Sequence, residues 1–139
     1  MWRGEAGEIY FAATNGGYPK RGQIWKYTPC KNEGNENSGD SGELELFVES
    51  HHAGVVENAD NLTVAPWGDL VVCEDRLGDV VRLVGVTPDG NQYPLAFNHT
   101  GAELAGVCFS PDGSTLFVNI QKRGLTLAMT GPWLSPTSV

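Results

Sequence analysis

The sequence has few basic residues and no long apolar run. Nine lysines and arginines stand against seventeen aspartates and glutamates, which gives a formal net charge of −8. Because an acidic protein is repelled by phosphate backbones and anionic lipid surfaces, we expect no nucleic acid and no membrane as partners. No apolar run is long enough for a membrane span, and the first residues lack the basic-then-apolar order of a signal peptide. The negative charge is compatible with cation binding.

Cysteine is also scarce. The three cysteines, Cys30, Cys73 and Cys108, form neither a disulfide framework nor a paired zinc motif. Cys73 and Cys108 fall in apolar segments, where a free cysteine behaves as a small hydrophobic side chain. We therefore predict structural roles for both.

Sustained helical periodicity is missing, and short apolar segments separated by Gly, Pro, Asn and Asp take its place. Residues 30–42 are rich in Gly, Asn and Ser, so we predict a mobile loop there. The pattern predicts ten strands, at residues 9–13, 23–27, 44–48, 62–65, 70–73, 80–86, 93–97, 107–109, 116–120 and 125–129. The run at residues 70–73 is continuously apolar, which predicts burial on both of its faces.

A repeat relates these strands to one another. Pro66 and Gly68 precede an apolar strand in the same way that Pro111 and Gly113 precede the strand at 116–120. A four-strand unit with a period of roughly 40–50 residues is typical of β-propeller blades. A small β-sandwich would fit the number of strands but would explain the repeat less well.

We therefore predict an all-β, β-propeller-like chain that forms a single partial domain over residues 1–139. It would hold about two to two and a half four-stranded blades, with the inner strand of the first blade and the outer strand of the last blade missing. The predicted blade segments are about 7–50, 58–98 and 104–133.

Oxygen-bearing side chains are concentrated at residues 57–76, around the hairpin predicted from strands 62–65 and 70–73. A hairpin brings its outer ends together, and most of the acids and amides lie at those ends. Carboxylate and amide oxygens are the ligands that calcium and other hard cations prefer. The alternative interpretation is a pair of solvated loops on an acidic protein.

Propeller geometry predicts which loops share a face. The loops that join one blade to the next, and those between the second and third strands of a blade, lie together on what we call the loop face. The hairpin turns that contain Pro66, Pro88 and Pro111 lie on the opposite side, the turn face. The loop face combines the acids and amides with Arg76, Lys122 and Arg123, which suits metal-assisted chemistry on a phosphorylated substrate.

Several segments resemble the C-terminal part of PhoX-type alkaline phosphatases. The most specific are ENADNLTV at 57–64, CED at 73–75 and TGPW at 130–133, and the similarity covers nearly all of the chain. The resemblance implies a six-bladed propeller phosphomonoesterase that holds calcium and iron in a central site. It also implies a periplasmic or secreted location, since members of the family are normally exported.

The resemblance implies site residues as well. The acids of the DN and CED motifs and the Glu before Leu104 match metal-binding positions, and these are Asp60, Glu74 and Glu103. Weaker metal candidates are Glu57, Asn61, Asp75 and Asn119, and weak candidates for the substrate phosphate are Arg76 and Arg123. An acid that the family carries ahead of the strand at 9–13 is replaced here by residues 1–3, so we expect little or no activity from the isolated chain.

Two functions follow as alternatives. One is a calcium-binding, PhoX-like phosphomonoesterase fragment or subunit, and the other is a non-enzymatic oligomeric propeller module that binds calcium or a partner. A sugar-lactone hydrolase is a third, weaker alternative that shares only the fold. Because the predicted blades are incomplete at both ends, we expect the chain to associate with itself. A closed trimer is favoured, since three copies of about two blades would give six.

Overall fold

The computed structural model describes residues 7–35, 37, 39–51, 55–76 and 78–133, together with a short strand at Trp2–Arg3. Regular structure in these ranges is β-strand, apart from one 3-10 turn at Gln121–Arg123. Within the described part of the chain, no helix has the length and apolar character needed to cross a membrane.

In the part of the chain that the structure describes, eleven strands form three antiparallel sheets, each built from consecutive strands, which we call blades 1 to 3. Blade 1 contains β1 (Trp2–Arg3), β2 (Ile9–Ala13), β3 (Gln23–Thr28) and β4 (Glu43–Glu49). Blade 2 contains β5 (Ala59–Val64), β6 (Leu70–Glu74), β7 (Val81–Val86) and β8 (Gln92–Asn98). Blade 3 contains β9 (Leu104–Phe109), β10 (Thr115–Ile120) and β11 (Leu125–Thr130).

The all-β, propeller-like architecture predicted from the repeat is confirmed, with one correction to the number of strands. Blade 1 has a short inner strand, β1, which pairs Trp2 with Tyr10 and Arg3 with Ile9. Two residues are too few to carry a strand pattern, so this strand has no signal in the sequence. The division into a single domain stays a prediction.

Two strands also begin three residues earlier than predicted. β5 starts at Ala59 and β9 at Leu104, whereas the sequence pattern placed their starts at residues 62 and 107. Polar residues join β5 because its backbone pairs with β6 through an irregularity between Ala59 and Asn61. The backbone ladder, rather than side-chain hydrophobicity, therefore determines where β5 begins.

Hydrophobic cores fill the two gaps between neighbouring blades. Every residue of β6 is buried, which confirms the prediction that both faces of this strand are covered. Val71 and Cys73 point into the core shared with blade 3, while Leu70 and Val72 point into the core shared with blade 1. Burial raises the pKa of the Cys73 thiol to about 12, which fits the structural role predicted for it.

The polar segment at residues 30–42, predicted to be a mobile loop, has local structure in its described part. A turn covers residues 31–34, and the Tyr27 hydroxyl donates to Glu33 Oε1 at 2.6 Å. Asn32 Nδ2 donates to Asp40 Oδ2 at 2.8 Å. The mobility of this loop stays a prediction.

A buried ion pair lies at the end of β6. The Glu74 side chain is 0% exposed, and both of its oxygens accept hydrogen bonds from the Arg82 guanidinium, at 2.7 and 2.8 Å. Glu74 also accepts from the backbone N–H of Glu57 at 2.7 Å and from that of Arg82 at 3.1 Å. Hydrogen bonding to Glu74 raises the pKa of Arg82. Glu74 therefore ties β7 and the segment before β5 to β6.

We predict that Glu74→Gln lowers the free energy of unfolding by about 3–5 kcal/mol, because it leaves the half-buried Arg82 without a counter-charge and turns an N–H donor toward it. Urea denaturation followed by circular dichroism measures this loss.

The matched control is Glu45→Gln, which neutralises a carboxylate in an ion pair of blade 1. Glu45 meets Lys26 at 3.0 Å and its side chain is 53% exposed, so the loss of that pair should cost less than about 1 kcal/mol. Equal stability of the two variants would contradict the structural role of Glu74.

Candidate functional site

Three loops of the loop face surround an open cleft of about 470 Å³. They are the loop between β2 and β3, the segment leading into β5, and the segment after β6. Two arginines, two acids and two amides are among the residues that line the cleft, which are Asn15, Pro19, Arg21, Glu57, Asn58, Asp75 and Arg76. Loops of blades 1 and 2 thus meet on one face, as propeller geometry predicts.

Asn58 holds these loops together. Its backbone has a φ of 49°, in the left-handed region where asparagine is tolerated better than most residues. Its side-chain amide donates to the Thr14 carbonyl at 3.0 Å, its N–H donates to the Arg21 carbonyl at 2.6 Å, and its carbonyl accepts from Asp75 N at 2.8 Å. The position of the cleft walls is therefore fixed largely by backbone hydrogen bonds.

A carboxylate lies between two guanidinium groups in the cleft. Glu57 Oε1 contacts Arg21 Nη1, and Glu57 Oε2 lies 3.2 Å from Arg76 Nε. The three side chains are partly exposed, so they remain accessible from the cleft. Guanidinium groups carry several N–H donors in a planar fork, so each arginine can hold Glu57 and still offer donors to an anion.

Glu103 interacts electrostatically with two other carboxylates, Asp60 and the cleft residue Asp75. The pKa of Glu103 is raised, first by burial and then by the negative charges of Asp75 and Asp60, while Lys122 opposes the shift. Asp60 is exposed on β5 and accepts a hydrogen bond from Thr14 Oγ1 at 3.2 Å. A bound cation would relieve the repulsion that Asp75 and Asp60 exert on Glu103.

These carboxylates do not form a closed ligand cage. Across the described ranges, no group of three or more His, Cys, Asp or Glu side chains is close enough together to hold a metal ion. Their donor chemistry fits a hard cation, since all three are carboxylates. Their spacing in this structure is wider than a coordination shell requires.

The other predicted metal residues have different partners. Glu74 is buried in the ion pair with Arg82. Asn61 accepts from the backbone N–H of Val107 at 2.8 Å, which links β5 of blade 2 to β9 of blade 3. Asn119 accepts from Thr126 Oγ1 at 2.7 Å and packs against Gly106, where an added Cβ would lie 2.6 Å from its amide nitrogen.

The two predicted phosphate residues are placed differently. Arg76 lines the cleft and faces Glu57. Arg123 is exposed in the 3-10 turn at Gln121–Arg123 and is not among the described residues that line the cleft. Arg21 lies beside Arg76 in the cleft, although it was not predicted as a phosphate residue. The sequence could have indicated its location, because Arg21 lies in the β2–β3 loop and propeller geometry places that loop on the loop face.

Comparison with known protein families identifies a match over most of the chain. The family described as Alkaline phosphatase PhoX matches residues 1–124 of the 139-residue chain. No curated protein and no solved structure shows significant similarity to it. Because the family match spans well over half of the sequence and includes the loop-face residues described above, the chain belongs to the PhoX alkaline phosphatase family.

Proposed function

We propose that the loop face is the substrate-binding side of a metal-dependent phosphomonoesterase site, of which this chain supplies a part. Membership of the PhoX family indicates a phosphatase-like function. The observation that carries the proposal is the pair of guanidinium groups, Arg21 and Arg76, that converge on Glu57 in an open cleft. Acidic side chains stand next to this cationic pair.

Arg21 and Arg76 are the residues that we propose for the phosphate group. Planar N–H forks match the oxygens of a phosphate monoester, and bonds between two charged groups are stronger than neutral ones. The Glu57 carboxylate faces both guanidinium groups, since its Oε1 contacts Arg21 Nη1 and its Oε2 lies 3.2 Å from Arg76 Nε. Arg21 replaces Arg123 in this proposal, since Arg123 lies in a different loop from the cleft walls.

For the metal we propose Asp60, Asp75 and Glu103 as ligands of calcium, with iron as the second metal that the family resemblance implies. The support is that Asp75 lines the cleft and that Asp60 accepts a hydrogen bond from Thr14 in the β2–β3 loop, while burial and then the charges of these two acids raise the pKa of Glu103. A bound cation would supply Lewis-acid polarisation and would neutralise phosphoryl charge. Glu74 is left out of this set because its oxygens already accept four hydrogen bonds. Glu74 would act by positioning Glu57.

A second candidate function is the non-enzymatic oligomeric module, and the open edge of blade 3 favours self-association. Blade 3 has three strands among the described residues, while blades 1 and 2 have four. Its last strand, β11, has no strand on its outer side in the described chain, and it exposes Leu125 by 51% and Leu127 by 38%. An unpaired edge with exposed apolar side chains is a template for association with another chain.

The number of strands changes the expected size of the assembly. Trimer formation was predicted from about two blades per chain, whereas the described residues form two four-stranded blades and one three-stranded blade. Two copies would supply about the six blades that the family resemblance implies. We therefore propose a closed dimer in which blade 3 of each copy meets blade 1 of the other.

We predict that inorganic phosphate binding depends on the cleft arginines. Arg21→Gln and Arg76→Gln should each weaken binding roughly 10- to 100-fold, since a hydrogen bond to a charged group contributes about 1.5–3 kcal/mol. Isothermal titration calorimetry measures the affinity. The matched control is Arg123→Gln, which removes the same charge from a neighbouring loop and should leave the affinity nearly unchanged. Equal losses in all three variants would indicate a general charge effect and would contradict the assignment.

Calcium should stabilise the chain by mass action. At about 100 times its dissociation constant, a ligand adds about 2.7 kcal/mol of stability, which corresponds to a rise of roughly 5–10 °C in Tm. Asp60→Asn combined with Glu103→Gln should abolish this rise in differential scanning calorimetry.

The control for the calcium experiment is Glu43→Gln, an exposed carboxylate at the start of β4. This variant should retain the full calcium-dependent rise in Tm. A wild-type Tm that calcium leaves unchanged would refute the metal site.

The dimer is tested by light scattering at several protein concentrations. We expect a mass twice the 15.0 kDa of the chain. A monomer at every concentration would refute ring closure, while a trimer would support the number of copies predicted from the sequence instead.

A further inference from the structure

The turn face carries a groove of about 370 Å³, on the opposite side of the blades from the cleft. Three aromatic rings, two apolar side chains and one carboxylate line it, and they belong to Trp67, Asp69, Tyr93, Leu95, Pro132 and Trp133. Among the described lining residues, Asp69 is the only one that carries a charge. The family match ends at residue 124, so it does not include the TGPW segment at 130–133 that was interpreted as a family motif.

The indole rings of the groove are held rigidly. Trp67 stacks on Trp133 with a centroid distance of 5.6 Å and an interplanar angle of 18°. Phe109 packs edge-on against both rings, at 5.6 and 5.8 Å. The Trp133 indole N–H donates to the Ser114 carbonyl at 2.7 Å, so this ring is also fixed to the turn of blade 3.

Asp69 fixes the orientation of Tyr93 and Trp67 by accepting hydrogen bonds from both. Its Oδ2 accepts from the Tyr93 hydroxyl at 2.6 Å and from the Trp67 indole N–H at 3.1 Å. Burial, together with the hydrogen bond to Asp69, raises the pKa of Tyr93 to about 12, so the hydroxyl stays a donor at neutral pH. The polar edges of both rings thus meet one carboxylate.

Gly85 allows Tyr93 to take its position. The two residues pair across strands β7 and β8, and a Cβ added at Gly85 would lie 2.1 Å from Tyr93 Cζ. The Tyr93 ring therefore rests against the backbone of β7, in space that any other side chain would occupy. One face of the ring is covered in this way, and the ring contributes to the groove wall.

We propose that this groove binds a small organic cation of the quaternary ammonium class. Such a cation is attracted to the faces of aromatic rings and to a nearby carboxylate, and Trp67, Tyr93 and Asp69 provide both. Leu95 and Pro132 add apolar wall for its alkyl groups. The Tyr93 hydroxyl and the Trp67 indole N–H already donate hydrogen bonds to Asp69. The groove therefore has few free donors for a neutral, hydroxyl-rich ligand such as a sugar. The net charge of −8 favours a cation further.

Binding is tested by following the indole N–H resonances of Trp67 and Trp133 by NMR during titration of the full chain with choline. The matched ligand is the neutral analogue of choline in which carbon replaces the nitrogen, because it has the same shape without the charge. We expect choline to shift both resonances and to bind roughly tenfold more tightly, or more, than the neutral analogue. Equal affinity for the two ligands, or no shift with choline, would overturn the proposal.

The role of Asp69 is tested with Asp69→Asn, which keeps an oxygen acceptor for Tyr93 and Trp67 and removes the charge. We expect choline affinity to fall roughly 5- to 30-fold. Asp89→Asn makes the same change at an exposed turn of the same face, outside the groove, and should leave the affinity within about twofold. Unchanged affinity in Asp69→Asn would contradict the proposal. If that variant does not fold, the comparison of the two ligands on the unmodified chain still decides.

Discussion

The buried carboxylate of Glu74 is the group on which the geometry of the loop face depends. It accepts two hydrogen bonds from the Arg82 guanidinium and one from the backbone N–H of Glu57. A buried charge is tolerated only when its partners are complete, so β6, β7 and the entry to β5 must keep these positions together. Glu57 is fixed in this way at its backbone, and its side chain then meets Arg21 and Arg76. The buried ion pair thus determines where the side chains of the cleft lie.

The blade architecture separates two kinds of chemistry on opposite sides of the same sheets. The long polar loops bring Arg21 and Arg76 together with acids of blades 2 and 3, which suits an anionic substrate and a cation. The tight turns on the other side bring together aromatic rings around Asp69. Both surfaces are supported by β6, whose alternating side chains fill the cores on its two sides. Rigid strands therefore position residues that lie in loops and turns.

The sequence predicted the fold well because apolar strands and Pro-Gly turns leave local patterns. The family resemblance ranked Glu74 above Asp75 as a metal ligand, and no local pattern indicated that the surroundings of these two neighbouring acids differ. Glu74 ends β6 and points to Arg82, whereas Asp75 follows the strand and lines the cleft. Both are carboxylates, and only the register of β6 with its neighbours gives them different surroundings. Arg21 was missed because its partner Glu57 is 36 residues away, and no local pattern links them.

The central claim is that a cation and the two arginines of the loop face act on the same phosphate group. The most direct measurement is the affinity for inorganic phosphate by calorimetry, with saturating calcium and again with chelator. If Asp60, Asp75 and Glu103 hold calcium beside Arg21 and Arg76, calcium should raise phosphate affinity, and phosphate should raise calcium affinity by the same factor. Phosphate affinity that is independent of calcium would contradict the account.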